Sequence, residues 1–131
     1  MRRITMILGA LGALALAGCG GEVDETFTGR LESGDDLVSE DNSFVDTYTF
    51  HTKEGYRCQI DMTSTDFDTY LMLQGPRGED RGQNDDVAPG NTNSSLTIVA
   101  PRSGQYTISA NSKTSGLTGA YSVHVVCSEP G

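Results

Sequence analysis

The stretch FDTYLMLQGPRGEDRGQNDD, Phe67 to Asp86, decides the fold class of this chain. Its first eight residues alternate as in a β-strand, with Leu71 and Leu73 on one face and Tyr70 and Met72 on the other. Apolar side chains on both faces predict an interior strand of a sheet. GPRG has the composition of a tight turn, and the acids and amides after it are typical of a polar loop.

Six further runs have a similar pattern and are separated by clusters of Gly, Pro, Asn, Asp and Ser. The predicted strands are Phe27–Leu31, Val45–His51, Tyr56–Met62, Phe67–Gln74, Ser95–Ala100, Gly104–Ala110 and Ala120–Cys127. The longest polar stretch, Glu79 to Ser94, is predicted to be a loop. No amphipathic helical period is visible, so the spacing predicts an all-β protein built as an antiparallel β-sandwich.

The N-terminus has the features of a bacterial lipoprotein leader, in the usual order. Basic residues precede an apolar run, Ile4 to Leu16, that is too short for a permanent membrane span. LAGC, which ends at Cys19, resembles the lipobox at which lipoproteins are cleaved and acylated. We predict a lipoprotein signal peptide over 1–18, a tether over 19–25 with the lipid on Cys19, and a folded body over 26–131. The alternative is an ordinary signal peptide with an incidental cysteine.

The charge of the chain is strongly acidic. The chain has nine Lys and Arg residues and 18 Asp and Glu residues, which gives a formal net charge of −9 at pH 7. Such a surface repels nucleic acid and anionic lipid, so we expect no nucleic-acid partner and a membrane contact through the lipid anchor. In lipoproteins an Asp after the acylated cysteine favours retention at the inner membrane. Gly20 therefore indicates the outer membrane of the cell envelope.

Three cysteines are present, and lipidation of Cys19 leaves Cys58 and Cys127 as a pair. Strand alternation turns both side chains inward, and the compartment beyond the inner membrane permits disulfides. We predict a disulfide between Cys58 and Cys127, with two separate buried thiols as the alternative. A metal site is disfavoured because no further cysteine or nearby histidine supplies the remaining ligands.

Several short motifs in a fixed order resemble the bacterial pre-peptidase C-terminal domain. They are VDTYTF, FDTYLML followed by GPRG, NDD, NSSLTIVAPRSGQYTISANS and a final GAYSVHV, and the resemblance covers roughly Phe27 to Val126. The resemblance implies a sandwich of the jelly-roll type without catalytic activity. Members often follow the catalytic domain of secreted proteases, some bind insoluble polymers such as collagen, and some bind calcium. Here the domain directly follows the predicted lipid anchor.

The resemblance and the leader together predict a lipid-anchored envelope module that binds a protein or a polysaccharide. The alternative is a structural subunit that stabilises or localises a secreted protein such as a peptidase. Catalysis is disfavoured because the two histidines, His51 and His124, belong to no recognisable catalytic motif. Tyr70 shares its strand face with Asp68 and Met72, so it is the predicted ligand contact.

Two groups of acidic side chains are candidate calcium sites, although we expect no cofactor to be required. The first is Asn84, Asp85 and Asp86 with Asp68 from the preceding strand. The second is Asp35 and Asp46, which the resemblance implies, with Asp36 and the acids of the tether, Glu22, Asp24 and Glu25. Calcium requires six to eight oxygen ligands from several segments. The alternatives are side chains that shape a turn for the first group and a solvated acidic surface for the second.

Overall fold

The computed structural model describes residues 7–8, 21–38, 43–85 and 92–130. These residues contain ten β-strands and no helix. The strands are β1 (Ile7–Leu8), β2 (Val23–Leu31), β3 (Asp36–Leu37), β4 (Phe44–Thr52), β5 (Arg57–Thr63), β6 (Thr69–Gln74), β7 (Asp80–Asn84), β8 (Ser94–Val99), β9 (Gly104–Ser112) and β10 (Gly119–Ser128). Cys19 and Asp86 lie outside the described ranges, as does the predicted signal peptide apart from β1. Within those ranges no helix is long and apolar enough to cross a membrane.

The strands form two five-stranded sheets that pack face to face. Sheet A has the order β1-β2-β10-β5-β8, and sheet B has the order β3-β4-β9-β6-β7. Every pair of neighbouring strands is antiparallel. From β4 onward the chain passes between the sheets at almost every connection, which is the jelly-roll arrangement. The predicted all-β antiparallel sandwich is therefore confirmed.

Side-chain alternation explains why these segments form a sandwich. In β5 the pattern buries Cys58, Ile60 and Met62 and leaves the residues between them at the outer surface. The inner faces of the other long strands follow the same rule, so the two sheets enclose one apolar core. Each fully buried aliphatic side chain of this kind contributes roughly 1.5–3 kcal/mol through removal of apolar surface from water.

Strand β7 is the main difference between the sequence prediction and the structure. Residues Asp80 to Asn84 lie in the predicted loop, yet they pair with β6 as an edge strand of sheet B. Gly82 and Asn84 are its half-buried residues, and a Cβ on Gly82 would lie 3.3 Å from Leu96 Cδ2. A strand without apolar side chains shows no alternation, which is why the sequence did not reveal it. Strand β6 begins at Thr69 rather than at Phe67.

Strand β2 begins before the predicted boundary of the folded body. Val23, Asp24 and Glu25 lie within the predicted tether, but they form the first three residues of β2 and pair with β10. Val23 is buried and belongs to the core. The sheet therefore starts only four residues after Cys19 in the sequence.

Cys58 and Cys127 form a disulfide between neighbouring strands of sheet A. They occupy directly opposite positions on β5 and β10, with their Cα atoms 4.0 Å apart. Both side chains face the core and are almost completely buried. The structure thus contains the pair that strand alternation predicts.

Removal of this disulfide is expected to destabilise the protein strongly. The bond closes a loop with a sequence separation of 69, for which the loop-entropy model gives about 4 kcal/mol as an upper value. Replacement of both cysteines, Cys58→Ala with Cys127→Ala, should lower the free energy of unfolding by up to that amount in urea titrations.

Cys19→Ala is the matched control, because Cys19 lies outside the pair and its loss should leave the unfolding free energy unchanged. Mass analysis of unreduced peptides from the native protein should show Cys58 joined to Cys127. Free thiols at both positions would contradict the prediction.

Candidate functional site

The outer surface of the three central strands of sheet B carries no Lys, Arg, Asp or Glu side chain, whereas the exposed residues Asp36, Asp80 and Arg81 lie on its edge strands β3 and β7. The three central strands turn outward Val45, Thr47, Thr49 and His51 on β4, Gln105, Thr107, Ser109 and Asn111 on β9, and Tyr70, Met72 and Gln74 on β6. Val45 and Asn111 are buried at one end, and the others are exposed or half-buried. We call these side chains, with Gln83 of the neighbouring β7, the sheet B face.

Strand register places the side chains of the sheet B face in rows. One row crosses four strands, because Thr47 lies opposite Ser109, Ser109 lies opposite Met72, and Met72 lies opposite Gln83. Tyr70, the predicted ligand contact, is half-buried beside this row and donates its hydroxyl hydrogen to Gln83 Oε1. Hydroxyls, amides, one tyrosine ring and one methionine therefore share a continuous surface on a strongly acidic protein.

The outer surface of sheet A differs because it carries charged side chains. His124 Nε2 lies 2.8 Å from Asp24 Oδ1, and both side chains are exposed. Asp61 accepts a hydrogen bond of 2.6 Å from the Ser95 hydroxyl, and Arg57 is exposed nearby on the same strand. Charged side chains thus lie on the outer surface of sheet A, whereas the central strands of sheet B carry none.

The histidines occupy these two opposite surfaces. His51 is exposed at the end of β4 in sheet B, whereas His124 lies in β10 in sheet A. The chain therefore does not bring them to one site. Cys58 and Cys127 are joined in the disulfide, so neither offers a thiol nucleophile.

The first candidate calcium group lies at the end of the β6–β7 hairpin. Asn84 Oδ1 accepts a hydrogen bond of 3.2 Å from the Ser95 amide, and the Asp85 carbonyl accepts one of 3.1 Å from the Ser94 hydroxyl. Asp85 Oδ2 also lies 3.4 Å from Lys113 Nζ. Asn84 and Asp85 thus connect β7 to β8 and to the loop after β9, while Asp86 lies outside the described residues.

Asp68 is connected to the same loop through its backbone. Its carbonyl accepts a hydrogen bond of 2.9 Å from the Lys113 amide. These contacts hold the loops at this end of the sandwich together.

The second candidate group lies near the start of β4. Asp36 of β3 pairs with Val45 of β4 in an antiparallel arrangement. Asp35 precedes Asp36 and Asp46 follows Val45, so both aspartates lie next to this pair on the same side. Both are buried, Asp46 to 1% exposure, and they do not belong to a solvated acidic surface. Asp35 Oδ2 accepts a hydrogen bond of 3.0 Å from the Glu32 amide, which closes the turn before β3.

Asp46 also joins the two sheets. Its carboxylate accepts a hydrogen bond from the hydroxyl of Tyr121, which comes from sheet A, and Tyr48 is hydrogen-bonded to the same hydroxyl. Burial, together with Tyr48 and Asp46, raises the pKa of Tyr121 far above its usual value, so the hydroxyl keeps its proton. This buried cluster connects β4 to β10 through polar atoms.

Neither candidate group is arranged as a metal centre in the described residues. Across those ranges no three His, Cys, Asp or Glu side chains stand in a geometry that could hold a metal ion. The carboxylates of Asp35, Asp46 and Asp85 interact with amide, hydroxyl and ammonium groups instead. Calcium binding stays a prediction.

Sequence patterns alone did not identify the sheet B face as a surface. The available signal was the alternation of Thr, Ser and Gln with core residues in TYTFH and QYTISA. Each strand alone shows only ordinary polar positions, and the uncharged surface exists because β4, β9 and β6 are neighbours.

Comparison with protein families gives one match. The model of the bacterial pre-peptidase C-terminal domain matches residues 44–112, from the start of β4 to the end of β9. No characterised protein matches the chain at the level of sequence.

Solved structures with the same fold include periplasmic lysozyme inhibitors and a pre-peptidase C-terminal domain. PliG of Aeromonas hydrophila, a periplasmic inhibitor of g-type lysozyme, is similar with a TM-score of 0.60 and 17% identity over 82% of this chain and 89% of its own. The pre-peptidase C-terminal domain of a Bacillus anthracis collagenase has a TM-score of 0.59 and 17% identity over 79% of this chain and 89% of its own. PliG of Salmonella Typhimurium has a TM-score of 0.54 and 16% identity over 80% and 91%.

The Asp46–Tyr121 contact leads to a stability prediction. Tyr121→Phe removes one donor from a buried carboxylate, which is expected to cost about 1–3 kcal/mol of unfolding free energy. Tyr70→Phe is the matched control, because that hydroxyl is bonded at the surface and its loss should change stability by less than about 0.5 kcal/mol. Chemical denaturation of both variants measures the difference, and equal effects would contradict the role given to Tyr121.

Proposed function

This chain belongs to the bacterial pre-peptidase C-terminal domain family, and on that premise we propose that it is a non-catalytic binding module of the bacterial cell envelope. Its ligand is a protein or a polysaccharide, and it binds on the sheet B face. The observation that carries this proposal is the uncharged surface of Thr, Ser, Gln, Tyr and Met on a chain with a net charge of −9.

An uncharged protein surface costs less free energy to desolvate than a charged one. A ligand that covers a charged surface must remove water from ions, whereas hydroxyl and amide groups exchange water for new hydrogen bonds at a lower cost. Tyr70 adds a large, half-buried ring with a polar tip, a type of side chain that is common in binding surfaces. An uncharged ligand surface is therefore the best match for this face.

A protein ligand is the first choice. The two PliG proteins are periplasmic inhibitors of g-type lysozyme, and they share this fold. The shared fold supports a protein-binding role in the envelope, and g-type lysozyme is accordingly the first partner to test. Collagen, chitin and peptidoglycan are the polymers to test beside it.

The envelope location rests on the leader. The order of basic start, apolar run and LAGC supports lipidation at Cys19, and Gly20 supports sorting to the outer membrane. A lipidated cysteine carries several acyl chains, which are sufficient for stable anchoring. With β2 beginning at Val23, the module would be held close to the membrane surface.

Binding is expected to depend on the sheet B face. Purified protein should inhibit g-type lysozyme or be retained on one of the three polymers, and Thr47→Arg should weaken that activity at least about tenfold because it places a charge in the row of uncharged side chains that crosses the face. Thr97→Arg is the matched control, since Thr97 is also an exposed mid-strand threonine but lies on the outer surface of sheet A. Each assay is run with calcium and with a chelator.

Equal loss in Thr47→Arg and Thr97→Arg would place the binding site elsewhere. Absence of any inhibition or retention with all four probes would remove the support for a lysozyme or polymer ligand. Binding that disappears only with the chelator would show that calcium takes part.

Lipidation is tested separately. The full chain expressed in a bacterial host should fractionate with membranes and resist a high-salt wash, and Cys19→Ala should be released. A Cys19→Ala variant that stays with the membranes after that wash would contradict the lipid anchor.

A further inference from the structure

Strand β2 has two edges with different neighbours. One edge pairs with β10 along all nine residues of β2, from Val23 to Leu31. On the other edge, within the described residues, only the two residues of β1 are paired, opposite Thr26 and Phe27. Both residues of β1 belong to the predicted signal peptide. Removal of residues 1–18, as proposed above, therefore leaves this edge of sheet A without a strand partner among the described residues.

An open strand edge carries backbone N–H and C=O groups that can pair with another strand. The contact with β1 shows that this edge accepts an antiparallel partner at Phe27. The identity of the natural partner can be inferred from the side chains of β2 itself.

The sequence of β2, VDETFTGRL, is complementary to itself when two copies run antiparallel about Phe27. In this register Val23 lies opposite Leu31, Asp24 opposite Arg30, Glu25 opposite Gly29, and Thr26 opposite Thr28. All nine residues are paired. Asp24 and Arg30, the two charged residues whose side chains point outward, therefore lie opposite each other, and the dimer contains this pair twice. Cross-strand pairs of opposite charge are stabilising.

Other registers lose this match. A shift by two residues in either direction separates Asp24 from Arg30 and leaves residues unpaired at both ends. A shift by one residue places outward side chains opposite inward ones, which the burial of Phe27 forbids. The register about Phe27 is therefore the one that the sequence of β2 favours.

Both charged residues are accessible for this contact. Arg30 is exposed and forms no ion pair with the described residues of its own chain. Asp24 is bound on one side by His124 from β10, yet its side chain is 77% exposed, so the side that faces the open edge can receive a second partner.

We propose that the processed chain forms a two-fold symmetric dimer through antiparallel pairing of two β2 edges about Phe27. The two A sheets then become one continuous sheet, with an Asp24–Arg30 pair at each end of the new contact. The interface is isologous, as expected for a two-fold dimer. It lies at the edge of sheet A and leaves the sheet B face of each copy accessible.

The test uses a chain that begins at Gly20. Every buried hydrophobic residue of the described ranges lies between Val23 and Cys127, so this chain retains the whole core. It lacks Cys19, which makes the result independent of lipidation. Sedimentation velocity across a range of concentrations should show a species with twice the mass of one chain.

Two single charge reversals provide the decisive experiment. Arg30→Asp places Asp opposite Asp in its own dimer, and Asp24→Arg places Arg opposite Arg, so each variant alone should self-associate at least about tenfold more weakly. Mixed together, they should form a heterodimer, because each contact then joins Arg to Asp. Native mass spectrometry distinguishes the heterodimer by its mass.

Arg57→Asp is the matched control, since it makes the same charge change on β5, an interior strand of sheet A. It should leave the dimer unchanged. A wild-type chain that stays monomeric at all concentrations, or an equal effect of Arg30→Asp and Arg57→Asp, would overturn the proposal. A mixture of the two reversal variants that remains monomeric would also overturn the proposal. In that case the charges of β2 would act to prevent edge pairing.

Discussion

The hydrogen bond between the buried carboxylate of Asp46 and the hydroxyl of Tyr121 is the contact on which the packing of the two sheets depends. Apolar contacts are largely non-directional, so the sheets could slide across each other with little loss of burial. A carboxylate that is 1% exposed must keep its donors, because an unpaired buried charge is far more costly than a displaced methyl group. The rings around it add shape: Tyr48 stacks on Phe27 from the other sheet at 4.6 Å between ring centroids. Together these groups set how β4 of sheet B lies on β2 and β10 of sheet A.

Strand β10 transmits this constraint to the rest of sheet A. It lies between β2 and β5, so the first and last long strands of the chain are neighbours. Its start requires Gly119, which has a φ of +146° and where a Cβ would approach Asp66 Cβ to 2.3 Å. Its end is joined to β5 by the disulfide of Cys127. Long-range strand pairing of this kind is entropically costly to form. The disulfide lowers that cost because it restricts the unfolded chain.

The arrangement divides the surface into parts with different chemistry. The sheet B face, which is the proposed binding surface, has no Lys, Arg, Asp or Glu side chain, and sheet A carries charged side chains on its outer surface and has the β2 edge. In the proposed dimer these roles do not interfere, because pairing at the edge of sheet A covers neither copy's sheet B face. Two copies would then offer two equivalent binding faces, and a ligand with repeated sites would be bound by both, which raises the overall affinity without any new contact.

The sequence by itself determined the strands whose inner side chains alternate, because a period of two is written locally in residues such as Cys58, Ile60 and Met62. It also predicted the Cys58–Cys127 pair, since both side chains have inward parity and the two strands carry matching apolar runs. Tertiary structure alone decided three further features. Strand β7 exists because β6 offers a partner, although Gly82 gives no apolar signal. Asp46 is buried rather than solvated because Tyr121, 75 residues away, supplies its donor. The uncharged sheet B face arises because separate strands with ordinary polar positions become neighbours, and such adjacency depends on long-range pairing that no local pattern encodes.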